Sequence, residues 1–464
     1  MCGIFAFLNY ASPNTAKIIL ENLLMGLRKL EYRGYDSAGL ALEWCGSPLV
    51  FRQTGNVSCL EKSIFGGVVP EKVLEEVFFN HVGIAHTRWA THGGITHANT
   101  HPQTSSPKNE FLVVHNGIIT NYTTIKLELE KRGFEFDSQT DTEVIAKLAL
   151  YFYETERKEN VGRISFASII RRVSKVLNGA YAFACISTFF PHEMCIIKRG
   201  SPLILGFKHL QDSNIPIMFS DEEEILPERI KNELFVDPSA KPITSPLPCV
   251  EYIVASDVNA VLPFTKSVLY LEEDDLVHFS SNGLFKLHRP ETRSQYQNHQ
   301  RAPTTLEMEL SEISKGKFDT YMRKEIFEQP ESLSNTMRGR VNFDNFTIHL
   351  GGLRDLVDII VRSRKFIMIA CGSSYHSALA TRGFFEEMTG IPVVVELSSD
   401  FMDRKTPTFR DDTCIFISQS GETADTLSAL HHCKKSGSLC IGIVNTVASA
   451  IARQTDCGIY ISYS

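Results

Sequence analysis

The sequence predicts two domains of different fold class: an α+β domain in the first half and an α/β domain with a doubly wound parallel sheet in the second. In the first half, apolar strand segments occur together with amphipathic helices, and in the second half short apolar strands alternate with helices. The chain has 464 residues, which at about 150 residues per domain is enough for two to four domains with their own cores.

Composition is typical of soluble globular proteins. Hydrophobic residues make up 43% and charged residues 22% of the chain. The net charge of -7 argues against binding to nucleic acid or to an anionic membrane, because both favour a basic face. The 11 cysteines include no Cys-x-x-Cys pair. Since no apolar run is long enough for a bilayer and the start lacks a signal segment, we expect reduced thiols in a cytoplasmic protein.

The start of the chain suggests a nucleophile. If Met1 is removed, the chain begins with Cys2, whose α-amine lies beside its own thiol. A free thiol with a pKa near ~8.5 is mostly protonated at neutral pH, and an α-amine with a pKa near ~8 can take its proton during attack on an amide carbonyl. The alternative interpretation is a small buried residue that opens a strand.

A strand, a helix and a charged loop are predicted after Cys2. Residues 3 to 9 are apolar on both alternating faces, which predicts a strand covered on both sides. Residues 16 to 30 carry aliphatic side chains near one face and predict a helix. The loop from Glu31 to Gly39 holds charged residues, among them Arg33 and Asp36, around two glycines. It is either functional or a turn with a solvated Arg-Asp pair.

The segment from Gly83 to Gly93 predicts a strand that enters a loop with Arg88, Trp89, Thr91 and His92. Arginine can hold a carboxylate by two parallel hydrogen bonds. A metal site is the alternative, but the histidines match neither HExxH nor a zinc spacing and have no set of acidic ligands nearby, so we expect no metal. The histidines in question are His86, His92, His97, His101 and His115.

A buried strand at residues 111 to 114 runs into Asn116 and Gly117. Asn-Gly between apolar segments is a strong signal for a type I′ hairpin turn. The functional alternative is an oxyanion hole, in which the asparagine amide and the glycine N–H stabilise the tetrahedral intermediate of acyl transfer. Further along, Asp141 precedes a predicted helix. It is either the N-cap of that helix or a partner for a substrate ammonium group.

Five stretches in order, MCGIFAFLNY, LEYRGYDSAG, GIAHTRWATHG, VVHNGIITN and SQTDTEVI, resemble the glutaminase domain of the glutamine:fructose-6-phosphate amidotransferase family. The resemblance implies an N-terminal-nucleophile fold, an αββα sandwich, over residues 2 to 288, with a variable insertion at about 209 to 248. It implies glutamine as a substrate and no metal or organic cofactor. It assigns catalysis to Cys2, Asn116 and Gly117, and glutamine binding to Arg33, Arg88, Trp89, Thr91, His92 and Asp141.

The second half begins after a polar, proline-containing linker predicted at residues 289 to 304. A helix is predicted at residues 321 to 330, and apolar strands at residues 366–370, 391–395, 414–417, 440–444 and 458–461. The helix after the first of these strands carries Ala380, Phe384, Phe385 and Met388 on one side. Helices between strands indicate a parallel sheet, whose ligands bind at the carboxyl ends of the strands.

Hydroxyl-rich segments follow two of these strands. Hydroxyls and unpaired N–H groups at helix N-termini can cradle a phosphate, although simple N-capping would explain each segment alone. Together they resemble the sugar isomerase (SIS) domain of the same family. That resemblance implies fructose 6-phosphate as a ligand, its phosphate held by Ser373, Ser374, Ser418, Gln419, Ser420 and Thr423.

The family carries two tandem SIS domains. Here residues 305 to 464 match the first, which we interpret as incomplete at its end, and no second copy follows. We therefore expect glutaminase activity to be retained and the synthase half-reaction to be doubtful, because the acid-base groups for the sugar would be missing. The alternative is a non-catalytic paralogue that binds sugar phosphate. In either case we expect a homo-oligomer or association with a full-length homologue, since an uncovered apolar face favours association.

Overall fold

The structure of the protein is a computed structural model. It describes residues 2–44, 47–66, 71–90, 93–158, 164–209, 218–220, 250–288, 304–305, 318–343, 345–446 and 449–461. These residues belong to two compact units, Met1–Leu310 and Ser311–Ser464, and each is described by itself. The predicted insertion at 209 to 248 and the predicted linker at 289 to 304 lie almost entirely outside the described residues.

The first unit combines strands and helices. Its strands are β1 Gly3–Tyr10, β2 Asn14–Thr15, β3 Ser37–Leu42, β4 Leu49–Thr54, β5 Val77–Phe78, β6 His81–Arg88, β7 Gln103–Thr104, β8 Phe111–Ile119, β9 Gly179–Ser187, β10 Phe190–Arg199, β11 Ile204–His209, β12 Met218–Ser220, β13 Val250–Ala255, β14 Ser267–Tyr270, β15 Leu276–Phe279, β16 Phe285–His288 and β17 Thr304–Thr305. Its helices are α1 Ala16–Leu30, α2 Val57–Phe65, α3 Glu71–Leu74, α4 Tyr122–Lys131, α5 Glu143–Lys158, α6 Phe166–Val176 and α7 Val258–Val261, with a 3-10 turn at Glu31–Arg33.

Two sheets form the centre of this unit. In the described residues one has the order β17-β14-β11-β13-β1-β6-β3-β4 and the other the order β12-β16-β15-β10-β9-β8-β7. Pairing is antiparallel except between β12 and β16. Apolar side chains of both sheets, such as Ile4 and Ile84 from one and Val114 and Ile196 from the other, share one buried cluster. The sheets therefore pack face to face.

Helices cover the outer faces of the two sheets. Helices α4, α5 and α6 share a buried cluster with the outward residues of β8, β9 and β10. Helix α1 covers the other sheet, and it begins where the Thr15 side chain accepts a hydrogen bond from the Ile18 N–H. The predicted αββα sandwich is confirmed, and β1 is buried along its whole length, as its two-sided apolar pattern predicts.

Helix α1 lies unusually close to β1. A Cβ added at Gly26 would lie 2.4 Å from the ring of Phe5, and the Phe5 ring also packs against Phe264 with 5.6 Å between centroids. The missing side chain of Gly26 lets the helix backbone approach the aromatic ring, at the expense of helix propensity.

The second unit is an α/β domain. Its elements are α8 Tyr321–Met337, β18 Val341–Asn342, β19 Thr347–Ile348, a 3-10 helix Gly351–Leu356, α9 Val357–Val361, β20 Lys365–Ala370, α10 Gly372–Thr389, β21 Val393–Leu397, α11 Ser398–Asp403, β22 Asp412–Ser418, α12 Ala424–Lys435, β23 Leu439–Val444, α13 Ala450–Gln454 and β24 Cys457–Tyr460. The predicted helix at 321 to 330 is longer than expected and continues past Pro330.

Five parallel strands form the sheet of this unit, in the order β21-β20-β22-β23-β24. Helices α11, α12 and α13 cover one face, and α10 and α9 cover the other. The predicted doubly wound parallel sheet is confirmed. Among the described residues no helix is long and apolar enough to cross a membrane.

The predicted apolar side of α10 is not part of the core. Helix α10 packs on the sheet through Ala378, its buried residue, whereas Phe384 is 67% and Met388 85% exposed. The small alanine permits close contact between helix and sheet. The large side chains of the predicted apolar face are exposed and do not contribute to the core.

The contact between Gly26 and Phe5 predicts a destabilising Gly26→Ala substitution. Alanine in an exposed helix normally stabilises by roughly 1 kcal/mol, but here the added methyl overlaps the ring and we expect a loss of about 1–3 kcal/mol. Both tryptophans lie in the first unit, so urea unfolding followed by tryptophan fluorescence reports on it. Gly383→Ala in α10, where nothing lies within 4 Å of the added Cβ, is the control and should leave this midpoint unchanged. A stabilised Gly26→Ala variant would contradict the proposed close contact.

Candidate functional site

The register of β1 on β6 determines the position of Cys2. Gly3 pairs with Thr87, so Cys2 lies beside the end of β6. The Trp89 N–H donates to Cys2 Sγ over 3.3 Å, and the thiol in turn lies 3.6 Å from the Trp89 carbonyl oxygen. The sequence-predicted nucleophile and the loop that follows β6 are therefore in direct contact.

The loop before β3 supports this contact. A Cβ at Gly34 would lie 2.7 Å from the Arg88 carbonyl carbon, so only glycine permits the approach of the two backbones. The Asp36 carboxylate accepts a hydrogen bond from the Ala90 N–H over 2.9 Å, and the Tyr35 ring packs edge-on against Trp89 with 5.2 Å between centroids. Tyr35 and Asp36 were missed as supporting residues, although they lie in the same motif as Arg33.

The surroundings of the thiol keep it protonated. Burial raises the pKa of Cys2 above its ordinary value, and the Trp89 N–H and the Arg88 guanidinium offset this only in part. A buried neutral thiol is a weak nucleophile and needs a base during attack.

Arg88 is buried at the end of β6 and is held by the loop that follows. Its guanidinium donates to the carbonyl oxygens of Gly93 and Gly94 over 3.2 and 3.1 Å. Burial lowers the pKa of Arg88, and the nearby Cys2, Asp36 and Asp141 act in the opposite direction. Trp89 is 41% exposed. Thr91 and His92, predicted for the same loop, lie outside the described residues.

Asn116 and Gly117 lie inside a strand, so the hairpin turn predicted as one alternative is wrong. β8 continues to Ile119 and pairs with β9 from end to end. Gly117 has a φ of +122°, and a Cβ there would lie 2.1 Å from the Ala180 carbonyl oxygen, so glycine is required. The Asn116 Nδ2 group donates to the Cys2 carbonyl oxygen over 2.9 Å, which brings the asparagine to the nucleophile.

Asp141 does not cap α5, which begins at Glu143. Its Oδ2 atom instead accepts a hydrogen bond from the Ile119 N–H over 2.8 Å, and Oδ1 lies 4.0 Å from His115 Nδ1. The carboxylate is thereby tied to the strand that carries Asn116. The capping alternative is wrong, and a role in binding an ammonium group stays a prediction.

Arg33 forms a buried ion pair that sequence analysis did not predict. Its guanidinium binds Asp257, whose Oδ2 also accepts a hydrogen bond from the Tyr32 hydroxyl over 2.6 Å. Asp36, the partner considered in the solvated-pair alternative, binds the Ala90 N–H instead. Asp257 lies 224 residues from Arg33, and sequence spacing gives no signal for such a pair.

The described histidines of this region make contacts with one another and with nearby polar groups. Among the described residues no group of three or more His, Cys, Asp or Glu side chains could hold a metal ion. His86, His101 and His115 instead make hydrogen bonds or ring contacts beside Asn116. Burial lowers the pKa of His86 to about 3, so its imidazole is neutral at neutral pH.

The hydroxyl-rich segments of the second unit lie at one edge of its sheet. Ser373 and Ser374 open α10 after β20, and residues 418 to 423 connect β22 with α12. β20 and β22 are neighbours, so both segments lie at the carboxyl ends of adjacent strands. Ser418 Oγ accepts a hydrogen bond from the Gly421 N–H over 3.0 Å and lies 3.1 Å from Thr423 Oγ1. Neither Cys371 nor Thr423, the N-cap residues, makes a side-chain cap hydrogen bond.

Two family models match the chain. The glutamine amidotransferase domain model matches residues 86–196, and the SIS domain model matches residues 359–464. With the αββα sandwich, the N-terminal cysteine site and the parallel sheet, these matches define an N-terminal-nucleophile glutamine amidotransferase joined to a SIS domain.

Sequence identity to known enzymes shows which family of this class the chain belongs to. The chain is 47% identical over 475 residues to glutamine-fructose-6-phosphate aminotransferase (isomerizing) 1 of Rattus norvegicus. It is 46% identical to form 2 of that enzyme from Homo sapiens, and 43% identical to the Saccharomyces cerevisiae enzyme. All three alignments cover 100% of this chain, and 68 to 69% of the relatives. The chain belongs to the glutamine-fructose-6-phosphate aminotransferase (isomerizing) family.

The buried pair of Arg33 and Asp257 predicts a large effect of Asp257→Asn. Burial alone would raise the pKa of Asp257, but the Arg33 guanidinium, together with the Tyr32 hydroxyl and the Asn259 N–H, outweighs it and holds the pKa below its ordinary value. The stabilisation is therefore present above the unfolded pKa and is lost as pH falls through the folded one. Because the variant leaves a buried guanidinium uncompensated, we expect a loss of about 3 kcal/mol at pH 7.

Urea unfolding by tryptophan fluorescence tests this across pH. The difference in the free energy of unfolding between wild type and Asp257→Asn should be constant from about pH 7 to 5. It should narrow below about pH 4, where Asp257 of the unfolded chain takes up a proton before the folded chain does. Glu61→Gln, in the exposed pair of Arg28 and Glu61, is the control and should shift stability by less than about 1 kcal/mol. A difference that widens toward acid pH would contradict the assigned charge of Asp257.

Proposed function

We propose that this chain hydrolyses the side-chain amide of glutamine with Cys2 as the nucleophile and supplies the ammonia for amination of fructose 6-phosphate. The observation that carries the proposal is the contact of Cys2 with two groups from different parts of the fold. The Trp89 N–H, in the loop after β6, donates to its sulfur, and the Asn116 amide, in β8, donates to its carbonyl oxygen. Membership in a family of glutamine-dependent aminotransferases supports it.

The reaction follows from the groups at this site, provided that Met1 is removed. The α-amine of Cys2 takes the thiol proton as sulfur attacks the glutamine Cδ, and the carbonyl oxygen becomes an oxyanion. Asn116 Nδ2 and the Gly117 N–H are its proposed donors. The protonated amine then gives its proton to the leaving nitrogen, so ammonia departs and a thioester forms. Water hydrolyses the thioester to glutamate and restores the thiol.

The remaining residues bind or hold the amino acid. We assign the substrate carboxylate to Arg88, with Trp89 covering the site, and we keep Thr91 and His92 as proposed contacts of the same loop. Asp141 would receive the substrate ammonium group. Arg33, bound to Asp257, supports the loop that carries Asp36. Asp36 in turn accepts the hydrogen bond of the Ala90 N–H, next to Trp89. These roles rest on family resemblance together with the positions described above.

For the second unit we propose a phosphate site formed by Ser373, Ser374, Ser418, Gln419, Ser420 and Thr423. The start of α10 adds unpaired backbone N–H groups, which favour an anion. The sugar isomerase unit is proposed at residues 305 to 464 and the glutaminase at residues 2 to 288.

We further propose a cytoplasmic protein that associates with itself or with a homologous chain. The described cysteines are free thiols, which suits a reducing compartment. Large apolar side chains of the second unit are exposed, among them Met322, Phe327, Phe343, Phe346 and Ile348, which favours association.

Cys2→Ala tests the nucleophile. Because the variant has no sulfur to form the thioester, we expect glutamate release from glutamine to fall by at least about 10³-fold, the scale of losing a covalent nucleophile. Cys59→Ala is the matched control, since Cys59 is an exposed free thiol on α2, and it should behave like wild type. Equal rates for wild type and Cys2→Ala would refute the enzyme and favour a non-catalytic binding protein.

Ser374→Ala tests the phosphate site. A hydroxyl that donates to a charged phosphate contributes about 1.5–3 kcal/mol, so fructose 6-phosphate should bind roughly 10- to 100-fold more weakly by titration calorimetry. Glutamate release should be unchanged. Ser377→Ala, one turn further along α10, is the control, because its hydroxyl donates to the Ser374 carbonyl oxygen. Unchanged sugar-phosphate binding by Ser374→Ala would place the ligand elsewhere.

A further inference from the structure

A buried polar chain lies directly beside Asn116. His86 Nε2 lies 3.1 Å from Asn116 Oδ1 and 2.9 Å from the His115 carbonyl oxygen. The His86 ring packs against His101 with 4.2 Å between centroids. Thr142 Oγ1 then lies 2.8 Å from His101 Nε2 and 2.9 Å from His115 Nδ1. The histidine rings are buried, and the proposed reaction gives none of them a role.

The hydrogen bonds determine how the Asn116 side chain points. The Cys2 carbonyl oxygen can only accept, so the Asn116 atom that faces it over 2.9 Å must be the nitrogen. The oxygen of the same amide then faces His86 Nε2. Since both neighbours of Nε2, Asn116 Oδ1 and the His115 carbonyl oxygen, are acceptors, Nε2 carries the hydrogen.

The His86 ring has little freedom to release this contact. It lies on β6 opposite Ile4 of β1, with the His101 ring against it and the His115 backbone within hydrogen-bond distance. Thr142 in turn holds both neighbouring histidines. The donor that faces Asn116 is therefore fixed by elements from both sheets.

We propose that His86 is a positioning residue, whose Nε2–H holds the Asn116 carboxamide with its nitrogen toward Cys2. This inference rests on the proposed role of Asn116 as an oxyanion donor. One hydrogen of Nδ2 binds the Cys2 carbonyl oxygen, and the second is the one offered to the developing oxyanion. A flipped carboxamide would turn its oxygen toward the Cys2 carbonyl oxygen and its NH₂ toward the His86 N–H, so that like groups face each other on both sides.

The expected signature is a loss in turnover and not in binding. The oxyanion exists only after attack, so a misdirected amide weakens the transition state and leaves ground-state glutamine binding unchanged. Removal of one oxyanion donor costs about 10²–10³-fold in kcat. We expect a variant that keeps Asn116 but lacks the His86 donor to lose roughly 10- to 100-fold in kcat.

Two variants of His86 distinguish the effect of the donor's position from the effect of the size of the side chain. In His86→Gln the amide nitrogen lies near the place of Nε2 and can donate to Asn116, so kcat for glutamine hydrolysis should recover most of its wild-type value. In His86→Asn the amide is one bond shorter and does not reach, so kcat should fall while KM stays within about 2-fold. His81→Asn is the matched control: His81 is a buried histidine on the same strand, it bonds to the Glu43 carbonyl oxygen, and kcat should be unchanged.

The double variant His86→Asn/Asn116→Ala tests whether His86 acts through Asn116. It should be no slower than Asn116→Ala alone, because the side chain that His86 guides is already absent. If Asn116→Ala has wild-type activity, the proposed oxyanion hole is wrong. If Asn116→Ala is impaired but His86→Asn is not, or if the two losses multiply, the positioning role is wrong.

A direct measurement on the wild-type protein covers the case in which a variant does not fold. Histidine labelled with ¹⁵N distinguishes the two neutral tautomers by NMR, with the His86 signal identified by sequential resonance assignment of the wild-type protein. The Nε2–H tautomer is expected. An Nδ1–H tautomer would leave no donor for Asn116 and would overturn the proposal.

Discussion

Antiparallel pairing of β1 with β6 is the constraint on which the whole proposed glutaminase site depends. It sets Gly3 against Thr87 and Ile4 against His86, so one register brings Cys2, His86 and Arg88 to one end of the sandwich. Residues two apart share a face of a strand, and Ile4 and Ile84 mark that face as the one between the sheets. A slip of one residue would turn Cys2 to the face covered by α1 and separate it from Asn116.

The same pairing requires polar side chains between two sheets that elsewhere enclose an apolar core. Such burial is unfavourable unless each group has a partner. Here Asn116 bonds to Cys2 and His86, Thr142 to two histidines, and Asp141 to the Ile119 N–H. His86 Nδ1, His101 Nδ1 and His115 Nε2 have no hydrogen-bond partner among the described residues, so the cluster is satisfied only in part. The hydrogen bonds that do form hold Asn116 in the orientation that the proposed stabilisation of an oxyanion would require.

Periodicity predicted those parts of the fold that local pattern decides. Helix α1 has the bounds that the sequence indicated, β1 is covered on both faces, and the five parallel strands of the second unit lie within a few residues of their predicted positions. Cys2, Arg88, Trp89 and Asn116, singled out from motifs, meet in space.

The sequence pattern predicted the wrong structure, or missed a contact, where a residue far away in the sequence determines the local conformation. The dipeptide Asn116-Gly117 favours a turn by its local preferences, but β8 continues as a strand through both residues because it pairs with β9. Asp141 stands where a cap is expected, yet it binds Ile119 of another element. Asp257 as the partner of Arg33, and His86 beside Asn116, depend on strands that meet only in the folded chain, so no spacing rule could find them.

The intact mass of the purified protein, before and after reaction with a glutamine analogue that carries a diazoketone in place of its amide, tests the central claim most directly. The account predicts a chain without Met1 that gains one adduct, mapped to Cys2 by peptide sequencing and prevented by excess glutamine. A chain that retains Met1, or an adduct on another residue, would contradict it.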